Sequence, residues 1–334
     1  MPAVVMVRGP AAVRVKGRCH VLGMDISGRQ VAVRVGKALP FEAGQDCALD
    51  IDGEAWSADP SAAGTAMWKS AVQTMLSRHD AVAVVIVTGE VDSGKSTFCA
   101  YLANVAISRG ITPCVIDGDI GQGDLAPPAA MGAAAMYAPV TDLRDVKARF
   151  FEFIGSNSPA GNERLVAGRI RSLLGRTQNL AELHIINTDG YTDIPYKRML
   201  ARTLRPDAMV VLGSRRLATE LKGPWQMIRA KSSWQATKTY PERVGHRLEQ
   251  FMHYVGEGYV TIAVDRVKFV YSSRLAPGAM EGMFVGLGEK GRVKGFGIIE
   301  GIGEDITIKT SVLHFTTIWL SGVSLKGDVE SRLF

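Results

Sequence analysis

Apolar positions fall into three regimes along the chain. Over residues 1–78 they alternate: Val13 and Val15, then Val31, Val33 and Val35, stand between polar or small residues. That two-residue period is the mark of half-buried strands. Ser27-Gly28, Leu39-Pro40 and Asp52-Gly53 read as turns between them. The Ser-, Ala- and Gly-rich stretch Ser57–Thr65 then leads into a helix around Met67–Ser77. From about residue 80 to 255 the apolar runs become continuous, at Ala81–Val87, Pro113–Ile116, Leu183–Ile186 and Ala208–Leu212, with longer helical stretches between them. Unbroken apolar strands separated by helices predict a parallel sheet covered on both faces. Past Gly258 short strands return at Tyr259–Val264, Lys268–Tyr271 and Ile306–Thr310, and the glycine-rich Gly286–Gly301 reads as a β-hairpin region. The expected class is α/β: a parallel-sheet core over 79–256, flanked by small β-rich domains at 1–78 and 257–334.

Composition agrees with this outline. Of 334 residues 46% are hydrophobic and 22% charged, enough for a sizeable core without covalent staples. Cys19, Cys47, Cys99 and Cys114 are scattered, with no CxxC pair or metal-ligand spacing, and are expected to be free thiols in a reducing compartment. The opening MPAVVMVRGP is too short an apolar run for a secretory signal and is interrupted by Arg8. No run approaches the roughly 20 residues needed to span a bilayer, so no membrane association and a cytoplasmic location are expected.

Charge sharpens the picture more. Net charge is +6, yet between Lys197 and Arg247 twelve Lys or Arg face three acids, an excess of nine that leaves the rest of the chain net negative by three. A local positive field of this kind suits a polyanionic partner. A set of solvated helix faces gives the same count, and charge alone does not choose.

The chemistry-bearing element is Gly89-Glu90-Val91-Asp92-Ser93-Gly94-Lys95-Ser96, a G-x-x-x-x-G-K-[ST] pattern continued by Thr97. Its glycines let consecutive backbone N–H groups turn inward on phosphate oxygens. Lys95 is placed to reach the β- and γ-phosphates, and the Ser96 hydroxyl to ligate Mg²⁺. An apolar strand enters the loop. Phe98, Leu102, Val105 and Ala106 then fall on one face of a helix ending at Arg109-Gly110, whose N-terminus adds its dipole to the cradle. A second element, Thr112–Asp124, carries Asp117-x-Asp119 at the end of a strand. A carboxylate there is suited to holding Mg²⁺ through water or accepting a hydroxyl proton, although Asp and Gly are also common turn residues.

Together these stretches resemble the polynucleotide 5′-hydroxyl kinase family. GEVDSGKST and DGDIGQGD match its Walker A and D-x-D-x-G-Q segments. Residues 150–165 are similar to its aromatic-Gly-x-x-Ser-Pro segment, residues 186–191 to its N-T-x-G-W motif, and Lys231 to Arg247 to its lid with an R-x-x-x-R pair. The resemblance implies ATP, or another nucleoside triphosphate, as phosphate donor and RNA or DNA with a 5′-hydroxyl end as acceptor. It implies Asp119 as general base and possible metal partner, Gln122 and Ser158 on the substrate side, and Arg243 and Arg247 closing over the γ-phosphate. Where the family has a Trp that clamps the substrate end, this chain has Tyr191, which still offers a stacking face. Trp225 and Trp234 lie in the basic tract and read as core.

Other chemistries are set aside. The six histidines show no HExxH spacing; His184 reads as structural and His246 as solvent-exposed. No G-x-S-x-G elbow and no N-K-x-D guanine-reading segment occur. The alternative to a kinase is an ATP-binding scaffold subunit of an RNA-processing complex.

Overall fold

The valine alternation at the amino end builds one long strand, Ala3–Lys16, with Val13 and Val15 buried. The computed structural model describes residues 3–61, 63–76, 83–231, 238–271, 280–326 and 329–332. Ala3–Lys16 pairs antiparallel with Gln30–Val33, Ala38–Ala43 and Ala48–Ala58, the centre of a six-stranded sheet. Serving three partners requires a bend, and the register with Ala48–Ala58 shifts between Arg8 and Ala12.

Two expected turns prove to be strand interior. Pro40 lies within Ala38–Ala43, opposite Met6; its fixed φ suits an extended segment and only an N–H is forfeited. Gly53 lies in Ala48–Ala58 at the bulge, with φ 140°, where a Cβ would come within 2.4 Å of the Ala11 Cβ. Ser27-Gly28 is the turn expected: Asp25 Oδ1 accepts from the Ser27 N–H at 2.9 Å and Gly28 has φ 71°.

The chain divides into two compact units, residues 1–115, 135–146 and 177–243, and residues 116–134, 147–176 and 244–334. The first unit holds the six-stranded sheet, the helix Thr65–Leu76 and a parallel array. Trp68, Ala71, Val72 and Met75 line the buried stripe of that helix, and the Trp68 Nε1 donates to the Lys231 carbonyl at 2.9 Å. In the parallel array the order is Gln226–Ala230, Ala208–Leu212, Val84–Gly89, Leu183–Thr188. Every residue of Ala208–Leu212 and Leu183–Thr188 is buried, as strands covered on both faces must be. Ala81 and Val82, at the start of the expected strand, lie outside the described residues, as do Ser77 and Trp234.

In the second unit Ala130–Ala135 pairs with Phe150–Phe153, which meets Arg292–Ile302 at Phe151. Met283–Glu289 and Arg292–Ile302 form the glycine-rich hairpin, turning on Lys290 (φ 49°) and Gly291 (φ 74°), the left-handed pair of a tight hairpin turn. Thr317–Lys326, Lys268–Tyr271, Asp305–Thr310 and Tyr259–Ala263 extend it. The rings of Phe151, Phe153, Phe251, Tyr254, Phe284 and Phe296 meet in one cluster, with Phe284 stacked on Phe296 at 5.6 Å. Among the described residues no helix is long and apolar enough to cross a membrane.

Candidate active site

The strand Val84–Gly89 delivers the chain into the glycine-rich loop, and the helix Lys95–Ser108 takes it away. Gly89 must be glycine: a Cβ there would sit 2.7 Å from the Ser93 Oγ and 2.8 Å from the Leu212 carbonyl. The loop then turns through two left-handed residues, Asp92 (φ 59°) and Gly94 (φ 88°). Glu90 and Val91 face solvent. Gly94 caps the helix with no side-chain hydrogen bond, which leaves the positive end of the helix suited to an anion. Lys95 is buried and its Nζ donates to the Glu90 carbonyl at 2.7 Å, folding over the loop. The Ser93 Oγ is buried with no hydrogen-bond partner among the described residues. A nest of N–H groups, a buried ammonium and an unmet hydroxyl fit a triphosphate. The Ser96 hydroxyl, 3.3 Å from the Asn187 Nδ2, with Thr97 beside it, begins the helix. Mg²⁺ takes oxygen ligands and retains waters, so one hydroxyl beside phosphate oxygens suits it. No cluster of three His, Cys, Asp or Glu that could hold a metal occurs among the described residues.

Arg243 reaches this loop from the start of the helix Tyr240–Val255. Its Nη2 lies 2.5 Å from the Asp92 Oδ2, and its Nε donates to the Lys238 carbonyl at 3.3 Å. The Lys238 N–H donates to the same Asp92 oxygen at 3.2 Å. Thr239 and Glu242 form a reciprocal cap on the helix, at 2.6 Å and 3.4 Å. The half-buried Trp225 donates locally, to the Leu221 carbonyl.

The strand Leu183–Thr188 ends in Asp189-Gly190-Tyr191. A Cβ on Gly190 would lie 2.5 Å from the Val91 Cγ2, so this turn runs directly against the phosphate loop. Tyr191 is 38% exposed and its N–H donates to the Asp189 Oδ1 at 2.9 Å.

Asp119, Gln122, Ser158 and Arg247 belong to the second unit. There the fully buried Asp117 organises the turn: its Oδ2 accepts from the Asp124 and Leu125 N–H groups at 2.5 and 3.2 Å, and its Oδ1 from that of Asp119 at 3.2 Å. Burial, with Asp124 and Asp119 nearby, pushes its carboxyl up to about 7 despite those bonds. Asp119 Oδ1 accepts from the Gly121 and Gln122 N–H groups at 3.0 and 2.9 Å. The Gln122 Oε1 is buried without a partner among the described residues. Ser158 is half-buried in a tight turn, accepting from the Ala160 N–H, and Arg247 is half-buried on its helix. His246 is not solvent-exposed as expected: it is buried, its Nε2 3.3 Å from the Gly123 carbonyl and 3.8 Å from Asp124. It shares the inward stripe of its helix with Gln250, Phe251 and Val255. His184 is structural, its Nε2 3.1 Å from the Thr177 carbonyl. All four cysteines are free thiols.

Sequence reasoning missed Asn187, Asp92 as a partner of Arg243, and Lys197. Only Asn187 had a sequence signal, as a member of the 186–191 segment near the end of the buried strand Leu183–Thr188.

Strand, glycine-rich loop and helix in this order define a P-loop nucleotide-binding protein. Residues 89–254 match the family model described as the mRNA cleavage and polyadenylation factor CLP1 P-loop, and this part of the chain belongs to that family. A polyribonucleotide 5′-hydroxyl-kinase of Thermococcus kodakarensis is 28% identical over 177 residues, covering 51% of this chain and 50% of that protein. One from Pyrococcus abyssi is 33% identical over 42% of this chain and 41% of its own length. A CLP1 homologue of Nematostella vectensis is 28% identical over 63% and 55%. The matches thus span about half the length of these relatives. The solved structure of Clp1p with Pcf11p has a TM-score of 0.75 over 97% of this chain and 96% of that one; at 10% identity it shows a shared fold.

Proposed function

We propose that this protein is an ATP-dependent polynucleotide 5′-hydroxyl kinase, transferring the γ-phosphate to the 5′-hydroxyl end of RNA or DNA. The observation that carries this reading is the phosphate loop Gly89–Ser96, formed as a cradle within a stretch that matches the CLP1 P-loop family. Relatives named polyribonucleotide 5′-hydroxyl-kinases support the choice of acceptor.

In this reading Gly89 to Thr97 hold the triphosphate, with Lys95 on the β- and γ-phosphates. The Ser96 hydroxyl, with water and the Asp119 carboxylate, would hold Mg²⁺, which would supply charge neutralisation on the phosphates. Asp119 takes the proton of the attacking 5′-hydroxyl. The new bond forms between the 5′-oxygen and the γ-phosphorus, the bond to the β-phosphate oxygen breaks, and the diphosphate leaves. Arg243 and Arg247 offset charge on the transferring group, where phosphoryl transfer needs it most. Gln122 and Ser158 line the acceptor, and Tyr191 stacks on its terminal base. Residues 1–78 and 257–334 flank the catalytic region 79–256, and the enzyme acts in the cytoplasm.

The test is transfer of labelled γ-phosphate to 5′-hydroxyl RNA and DNA oligonucleotides, with each of the four nucleoside triphosphates and a Lys95→Ala control. Transfer by wild type but not by the control is expected. ATP binding with no transfer above the control would identify an ATP-binding scaffold instead.

A further inference from the structure

Beneath the Asp189-Gly190-Tyr191 turn lies a buried ion pair. Asp189 Oδ1 is 3.0 Å from the Lys197 Nζ, and both residues are almost wholly buried. Asp189 Oδ2 accepts from the Tyr196 hydroxyl at 2.6 Å. Lys197 also donates to the Thr188 Oγ1 at 3.2 Å and to the Asp189 carbonyl at 3.0 Å. Three donors thus meet three acceptors, all on Thr188 and Asp189. The cap of the helix Ile194–Leu204, Asp193 accepting from the Tyr196 N–H, fixes where Lys197 and Tyr196 begin.

Stability alone does not account for this arrangement. Burying two charges costs solvation that their attraction only roughly repays, and apolar residues of similar size would serve a core as well. What a satisfied ion pair adds is a unique geometry. That geometry is transmitted in two directions. Asp189 Oδ1 also holds the Tyr191 N–H, and the Tyr191 ring lies 5.8 Å from that of Tyr196. Gly190 meanwhile presses on the Val91 backbone, where an added Cβ would be 3.0 Å from both Val91 N and Cα.

We propose that Lys197 and Asp189 are positioning residues that set the Tyr191 ring at a fixed place against the phosphate loop, and so determine acceptor-strand binding. The proposal rests on the reading of Tyr191 as the acceptor platform. Neither residue touches the acceptor; both act through Tyr191.

The experiment is a double-mutant cycle read by two measurements. Lys197→Met, and separately the neutral pair Asp189→Asn/Lys197→Gln in case the first fails to fold, are each made with Tyr191 intact and with Tyr191→Ala. Binding of a 5′-hydroxyl oligonucleotide is followed by anisotropy, and transfer by KM and kcat. With Tyr191 intact, oligonucleotide binding and KM should worsen about tenfold with ATP affinity unchanged; with Tyr191→Ala, the same changes should have less than a twofold further effect. Equal losses in both backgrounds, or a fall in ATP affinity of the same size, would overturn the positioning role. Wild type that binds the oligonucleotide without transferring phosphate would refute the kinase reading while the binding cycle still decides the positioning one.

Discussion

Arg243 and Asp92 are bound to each other across 151 residues of sequence, guanidinium to carboxylate at 2.5 Å. Asp92 is no ordinary partner, because it lies inside the phosphate loop in a left-handed conformation that Asp and Asn tolerate better than most residues. The carboxylate therefore holds, beside the phosphate loop, the arginine that the proposed function assigns to the γ-phosphate. On the proposed reading, in which Arg243 closes over the γ-phosphate, an incoming nucleotide would compete with Asp92 for that guanidinium and be repelled by the same carboxylate.

Asp92→Asn should tighten ATP binding about three- to tenfold, the latter being about 1.4 kcal/mol, with a smaller gain for ADP. Asn keeps the backbone conformation and an acceptor for the Lys238 N–H. Calorimetric titration with both nucleotides checks this. Weaker ATP binding would show that the carboxylate instead holds the loop in shape.

Lys95→Ala should lower transfer by at least about a hundredfold, the scale seen when a preorganised charge-stabilising donor is removed. Its Nζ already crosses the loop to Glu90, so the side chain needs little rearrangement to meet phosphate. Single-turnover rates at saturating ATP separate this loss from weaker binding; a rate within fivefold of wild type would contradict it.

Some of this site was legible in the sequence, and the reason lies in which interactions are local. The strand Ala208–Leu212 coincides with its apolar run because a strand buried on both faces has no polar positions to blur its ends. Pro113–Gly118 outruns its apolar run by two residues because Asp117, which read as a carboxylate at the strand's end, is itself buried and accepts from three N–H groups. His246 looked exposed between Gly245 and Arg247, and only its helical spacing to Gln250 shows the inward face. The Arg243–Asp92 contact has no local signature, since it depends on a tertiary approach that neither residue's neighbours announce.

Asp119→Asn should cut kcat about a hundred- to ten-thousandfold, the usual contribution of a positioned general base. The Asn Oδ1 still accepts from the Gly121 and Gln122 N–H groups, so the turn is retained and thermal stability should be close to wild type. ATP affinity should stay within twofold. A variant with near-normal kcat would remove Asp119 from the proton transfer.

Tyr191→Ala should raise the oligonucleotide KM roughly 5- to 150-fold, the loss of one stacked base at about 1–3 kcal/mol, with kcat little changed. Tyr191→Trp should lower it, because the larger face stacks more strongly while the Asp189 anchor to the backbone N–H is kept. Steady-state kinetics on a short 5′-hydroxyl RNA distinguishes the two; equal KM for both variants and wild type would exclude stacking at this position.

Asp142 gives the first unit a pH dependence. Burial opposes its charge, but Lys37 and Arg144 outweigh that cost, with the Lys37 Nζ at 3.6 Å and the Arg144 Nη2 at 2.7 Å, and hold the carboxyl well below the ordinary carboxylate range. A carboxylate with a depressed folded-state pKa contributes stability that is complete above the unfolded value of 3.8 and is lost as pH falls through the folded one. Asp142→Asn should therefore destabilise the protein by about 3–5 kcal/mol at neutral pH, because two buried cations lose their counter-charge. It can still accept from the Arg144 N–H, so the local turn is not the cause of the loss. Urea unfolding of wild type and variant from pH 7 toward the acid limit of folding should show the gap constant to about pH 4 and narrowing below it. A gap that does not change with pH would mean the loss comes from packing rather than charge.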